Sequence, residues 1–248
     1  MLPVSESVLM AAPGERSMPP ENEKTAEKSN ASALHARMRA RGVPLVLGTA
    51  VTALDDQGID PARLRTPGLH DIAGAAWLDH PAALAFAIAN ASAAGAAARP
   101  VMICQIDGAA FEHGALYGPG LAFLGAAPAG FVIVSTRSED DLLWSAEEAL
   151  GCGDLAALVL RLPARSRKYS FAASRRLHLR AEGGDTPAFV VRSGPEREAC
   201  AALTQWRISP APSLPSGVAG KRILGQARWK VALERARTSR PRDWGRAS

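Results

Sequence analysis

Cysteine is scarce: three residues in 248, Cys104, Cys152 and Cys200, far apart and odd in number. This excludes a disulfide framework and a cysteine-ligated zinc site, and makes a reducing, cytoplasmic setting the default expectation. Aromatics are also few, 5% of the chain, so the 47% hydrophobic content leans on alanine. No apolar run is a convincing membrane span of ~18 to 20 residues. The most apolar long stretch, Leu78 to Ala98, is mostly Ala and reads as a buried helix. The N-terminus, Met1-Leu2-Pro3-Val4-Ser5-Glu6, has no basic cluster ahead of an apolar core, so no secretory signal is expected.

Catalytic motifs are missing too. The five histidines (His35, His70, His80, His113 and His178) include no pair at zinc-binding spacing. His70 and Asp71, Asp79 and His80, and Glu112 and His113 are adjacent pairs. Neighbours in sequence seldom point the same way, so loop or cap roles are expected of them rather than a metal site. A Gly-x-Ser-x-Gly nucleophile elbow is absent. Tyr117 to Gly125 carries glycines without the dinucleotide spacing and reads as a tight turn into a helix.

A strand, a glycine and a long helix follow one another from Gly68, and in an α/β sheet that is where a nucleotide phosphate binds. A phosphate loop places glycine, lysine and Ser/Thr five, six and seven residues after its first glycine. Counting from Gly74, those places hold Asp79, His80 and Pro81. An aspartate repels phosphate, and at ~4 Å the like-charge contact costs several kcal/mol even at a surface-like dielectric. Proline removes both an amide donor and the metal-binding hydroxyl. The fourth strand should end in an aspartate for magnesium, but Leu158-Val159-Leu160 runs into Arg161. The expectation is a degenerate site, no cofactor and no ATPase activity.

What is present fits a single α/β domain with extensions. Residues 1 to 31, rich in Pro, Glu, Ser, Lys and Asn, lack a periodic apolar pattern and are expected to be disordered. Residues 32 to 62 read as a short basic helix (Ser32 to Arg41) and an irregular lead-in. From 63 to 197 apolar strands alternate with helices: strands at 68–73, 100–106, 130–135, 155–162 and 187–192, with helices at 78–98, 138–151 and 171–182. Such alternation means a parallel sheet covered on both faces. Residues 198 to 248 read as an extension with two further strands, 203–209 and 228–235, around a Pro/Ser/Gly loop. Nine basic residues between Lys221 and Arg246 face only Glu234 and Asp243, a net of +7, whereas the rest of the chain nets −2. A basic tail suits nucleic acid or an acidic protein surface, or serves only for solubility.

The order of several runs is similar to a known family. They are Thr66-Pro67-Gly68-Leu69-His70-Asp71-Ile72, Leu116-Tyr117-Gly118-Pro119-Gly120-Leu121 and Leu143-Trp144-Ser145-Ala146-Glu147-Glu148-Ala149-Leu150. Then follow Ala173-Ser174-Arg175-Arg176-Leu177, Gln205-Trp206-Arg207-Ile208 with Ala211-Pro212-Ser213, and Ala227-Arg228-Trp229-Lys230-Val231 with Leu233-Glu234-Arg235. Together they resemble the ImuA family of RecA-like proteins of bacterial SOS mutagenesis, over roughly residues 60 to 244. The resemblance implies a RecA-like parallel sheet flanked by helices, with a degenerate phosphate loop and a short β-rich C-terminal extension. It implies a non-catalytic accessory protein in translesion DNA synthesis. The partners implied are ImuB, a Y-family-like polymerase homologue, an error-prone C-family DNA polymerase, and RecA. The other reading is a SulA-like inhibitor of the tubulin-like cell-division protein.

Partner docking is expected at Trp229, Lys230, Arg235, Arg237 and Trp244, because tryptophan and arginine supply most hot-spot energy. For Trp206 and Trp229 the competing reading is that each packs a sheet edge onto the core. A candidate DNA surface is Arg161, Arg165, Arg167, Lys168, Arg175 and Arg176; the competing reading there is an ordinary solvated helix face.

Overall fold

The structure is a computed structural model that describes residues 53–54, 61–94, 99–108, 113–163, 166–194, 199–212 and 227–237. The expected N-terminal tail, the basic helix of Ser32 to Arg41, Arg165 and Trp244 lie outside the described residues. Among the described residues no helix is long and apolar enough to cross a membrane.

Among the described residues eight strands form one sheet: β1 (Ala53–Leu54), β2 (Gly68–Gly74), β3 (Val101–Ile106), β4 (Phe131–Thr136), β5 (Ala157–Arg161), β6 (Pro187–Arg192), β7 (Thr204–Ala211) and β8 (Arg228–Ala236). Among the described residues four α-helices accompany them: α1 (His80–Ala94), α2 (Gly118–Phe123), α3 (Glu139–Cys152) and α4 (Phe171–Gly183). The strand order is β1-β8-β7-β2-β6-β5-β3-β4. Every pairing is parallel except β7 with β8. The α/β architecture expected from the alternating pattern is therefore present.

Burial explains the near-continuous apolar strands. In β5, Ala157 and Val159 join a cluster with Ile72, Phe86, Ile103, Phe189, Trp206 and Trp229. Leu158 and Leu160 join the opposite cluster with Leu142, Leu150, Leu177 and Val190. A strand buried on both faces has no polar side to alternate with.

The two faces are built differently. α1 lies on the first, with Ala83, Ala87 and Ala91 fully buried at intervals of four residues. Methyl side chains let its backbone approach the sheet, and Phe86, Trp206 and Trp229 fill the remaining volume. α3 and α4 lie on the second face. Ser138 begins α3 by accepting the Asp141 N–H at 3.1 Å, and three acidic residues in the first turn suit the helix dipole. The helix runs past the expected stop at Gly151 to Cys152, because the left-handed residue that ends it is Gly153, with φ of 71°. Ser170 caps α4 by accepting the Ala173 N–H at 3.3 Å.

Two expectations change. The helix foreseen from Leu78 begins at His80, since Trp77–Asp79 forms a 3-10 turn first. The two C-terminal strands are present, but they are not appended to a finished core. β7 pairs directly with the central β2 (Ile72 beside Trp206), and β8 adds to β7. The boundary drawn at residue 198 therefore falls inside one sheet.

Candidate functional site

The crest where β2 turns into α1 is the position a phosphate would occupy, and its geometry follows from Gly74. A Cβ there would stand 2.8 Å from the Ala76 carbonyl oxygen and 3.1 Å from Asp79, so the tight turn requires glycine. Three amides of this turn are used within the protein. Ala75 N–H donates to Ile208 O at 2.9 Å, and Asp79 N–H donates to Ala76 O at 3.1 Å. The Asp79 carboxylate accepts the Ala76 N–H at 3.0 Å, so this side chain braces the turn and sets a negative charge on it. Pro81 occupies the first turn of α1.

His80 and Arg161 meet beneath that turn. Both are buried, at 0% and 2% exposure. Arg161 Nε–H donates to His80 Nε2 at 3.3 Å. A guanidinium can only donate, so His80 carries its proton on Nδ1 and donates to Ser193 Oγ at 3.0 Å. Ser193 Oγ also pairs with His113 Nε2 at 2.9 Å. The two imidazoles stack at 4.1 Å between centroids, and Trp77 lies against His113 at 5.6 Å. Arg161 also donates to Gly114 O at 3.3 Å and to Gln105 Oε1 at 3.5 Å. Burial, then the neighbouring His113 and Arg161, hold the His80 pKa down at about 3, so the ring is neutral. The crest is a closed hydrogen-bond chain with a half-exposed Trp77 over it.

On the α3/α4 side of the sheet, β2 and β6 bring Asp71 and Arg192 to 3.3 Å. Cys200 Sγ donates to Asp71 Oδ2 at 3.2 Å, and Arg192 lies 5.7 Å from the Tyr169 ring centre. His70 faces the other way. Its Nε2–H donates to Thr66 O at 2.8 Å and its Nδ1 accepts from Thr204 Oγ1 at 2.7 Å. Burial lowers its pKa to about 4. His70 and Asp71 thus take opposite sides of one strand. Among the described residues no group of three or more His, Cys, Asp or Glu could hold a metal ion.

The expected surfaces fare unevenly. Arg161 is no surface residue, because the strand end turns its guanidinium inward onto His80. Two of the other described members of the basic connector pair with acid. Lys168 Nζ is 3.1 Å from Asp140, and Arg176 Nε is 2.9 Å from Glu147. The Glu139 carboxylate accepts the Arg167 and Lys168 amides, each at 3.0 Å. A nucleic-acid phosphate would have to displace these carboxylates. Arg175 remains exposed beside them.

Of the residues expected to dock a partner, Trp229 is a core residue, 4% exposed and edge-on to Phe86 at 5.8 Å. It cannot anchor a partner without leaving the core. Lys230, Arg235 and Arg237 are exposed. The Arg237 N–H donates to Leu203 O at 2.7 Å, tying the end of the strand to the start of β7. Sequence reasoning missed the His80–Ser193–His113 chain. The three residues are far apart in the sequence, and only the meeting of the start of α1, the end of β6 and the segment before α2 joins them.

The class is thus a mostly parallel α/β sheet with helices packed on both faces. No family model matches the chain. Over 142 residues the chain is similar to Protein ImuA of two strains of Caulobacter vibrioides, at 35% identity, covering 52% of this chain and 54% of each relative. The chain therefore spans about half the length of the curated relatives it matches. Among solved structures it is similar to SulA from Pseudomonas aeruginosa, at 20% identity and a TM-score of 0.40, covering 51% of this chain and 98% of that one.

Proposed function

We propose that the chain is a non-catalytic accessory protein of damage-induced mutagenesis, a RecA-like scaffold whose nucleotide pocket is closed and whose surfaces bind partners. The observation that carries this reading is the crest itself. The Ala75, Ala76 and Asp79 amides are satisfied internally, Asp79 brings a negative charge, and His80 with Arg161 occupies the interior beneath the turn. The similarity to Protein ImuA supplies the process. On the family resemblance, the partners are an ImuB-like Y-family polymerase homologue, an error-prone C-family DNA polymerase and RecA. Lys230, Arg235 and Arg237 offer exposed positive charge on and just after β8 for that contact.

The test has two arms. Tagged full-length protein from DNA-damaged cells is expected to bring down a polymerase homologue, and an R235E/R237E variant is expected to lose it. Recovery of the tubulin-like division protein instead, with filamentation on overproduction, moves the chain to the inhibitor reading. Purified protein is expected to show the same Tm with and without Mg-ATP. Ligand at 100 times Kd would add about 2.7 kcal/mol, so a rise in Tm on addition contradicts the closed pocket.

A further inference from the structure

We propose that the outer face of α3 and α4 is a docking surface for a second copy of this chain, about a two-fold axis parallel to the two helices. The two helices carry opposite charge. α3 has five carboxylates (Glu139, Asp140, Asp141, Glu147, Glu148) and no basic residue. α4 has Arg175, Arg176 and Arg180 against the single Glu182. Each outer surface also carries large apolar side chains in water: Trp144 on α3 is 64% exposed, and Phe171 and Leu179 on α4 are 48% and 54% exposed.

Their spacing is regular. Asp140, Trp144 and Glu148 follow one another at four-residue intervals along α3, and Phe171, Arg175 and Leu179 do so along α4. One stripe reads acid–aromatic–acid, and the other reads apolar–base–apolar. Between them is a groove of about 230 Å³ lined in part by Leu143, Trp144, Ala173 and Arg176.

Both helices return from the end of one parallel strand to the start of the next, so they run in the same direction. Rotation about an axis parallel to them therefore places α3 of one copy over α4 of the other without changing their level. The Arg176–Glu147 pair fixes that level within each chain. Glu148, the next residue, then comes opposite the segment carrying Arg175 and Arg180 in the second copy. Among the described residues Glu148, Arg175 and Arg180 have no ion pair within the chain. A two-fold contact uses each stripe once on each copy, so the interface is self-complementary and closes as a dimer. Exposed aromatic side chains at its centre are the usual anchors of such contacts.

The test uses the full chain in sedimentation velocity at low and high salt. The wild type is expected to show twice the one-chain mass, with the dimer weakening as salt rises. W144E is expected to fall to the one-chain mass, with an unchanged far-UV spectrum. E148K and R175E are each expected to be monomeric, since each sets like charge against like. An equimolar mixture of E148K and R175E is expected to regain the double mass, because both halves of the mixed contact then join opposite charges. Such rescue on mixing cannot come from folding of either chain. A wild type that stays monomeric at tens of micromolar overturns the proposal. So does a W144E dimer as tight as the wild type, or a mixture that fails to associate while both variants are folded.

Discussion

On one face of the sheet lies α1, whose fifteen residues carry no acidic or basic residue apart from a buried, neutral His80. On the other lie α3 and α4, rich in charge and with Trp144, Phe171 and Leu179 in solvent. The first face is sealed by close contact. Its alanines bring the helix down, and Trp206 and Trp229, from the last two strands, supply the bulk that alanine lacks. The second is complete without those strands, since its Leu-rich cluster draws on α3, α4 and the middle of the sheet. Damage to the first face should therefore appear as lost stability, and damage to the outside of the second as lost association.

The sharpest way to break this contrast is to end the chain before Lys221, which removes β8 and Trp229. The expected outcome is loss of soluble, folded protein, read from expression yield and circular dichroism. A truncated chain with native helix content would show that the first face does not need β8.

Milder versions follow. Trp229→Ala should destabilise by about 3–5 kcal/mol in urea titration, the range for removing a large buried aromatic side chain. Trp144→Ala should change the stability of dilute, monomeric protein by less than about 0.5 kcal/mol. Equal effects at the two tryptophans would erase the distinction.

Acidity should also act through the first face. Unfolded imidazoles take up a proton near pH 6.5, whereas folded His70 and His80 stay neutral down to about 4 and about 3. Between those limits the unfolded chain binds more protons, so stability is complete above pH 6.5 and declines as the pH falls. The urea midpoint should drop steadily from pH 7 to pH 4, and His80→Asn should flatten the slope. A midpoint indifferent to pH over that range contradicts the burial of neutral rings.

The smallest effect is expected at the Lys168–Asp140 pair, whose side chains are 56% and 71% exposed. Lys168→Ala should cost no more than about 1 kcal/mol, and less in high salt.

Much of the fold was legible because α/β alternation leaves strong marks. Pro100 to Ile106 read as a strand buried on both faces, and Ser138 with its acidic followers marked where α3 begins. The place of the C-terminal strands was not legible. Their local pattern says strand, but nothing local says that Trp206 pairs beside Ile72, more than a hundred residues earlier. That Asp79, His80 and Pro81 do not match a phosphate-loop spacing could be read from the sequence alone. What those residues do instead could not, because His80 finds Arg161, Ser193 and His113 only after the sheet forms. Charge alone misled at the connector. Six basic residues looked like one surface, yet Arg161 turned inward and Lys168 and Arg176 met the carboxylates of a helix distant in sequence.

The position of β2 also sets a timetable for synthesis. It is among the first strands made, yet its two neighbours, β6 and β7, leave the ribosome only after roughly a hundred or more further residues. At about 5–20 residues per second, the backbone of the middle strand waits several seconds or longer with both edges unpaired. A nascent chain with so late a closure is a natural client for holding chaperones, and slowing translation between β5 and β7 would lengthen the interval in which it can aggregate.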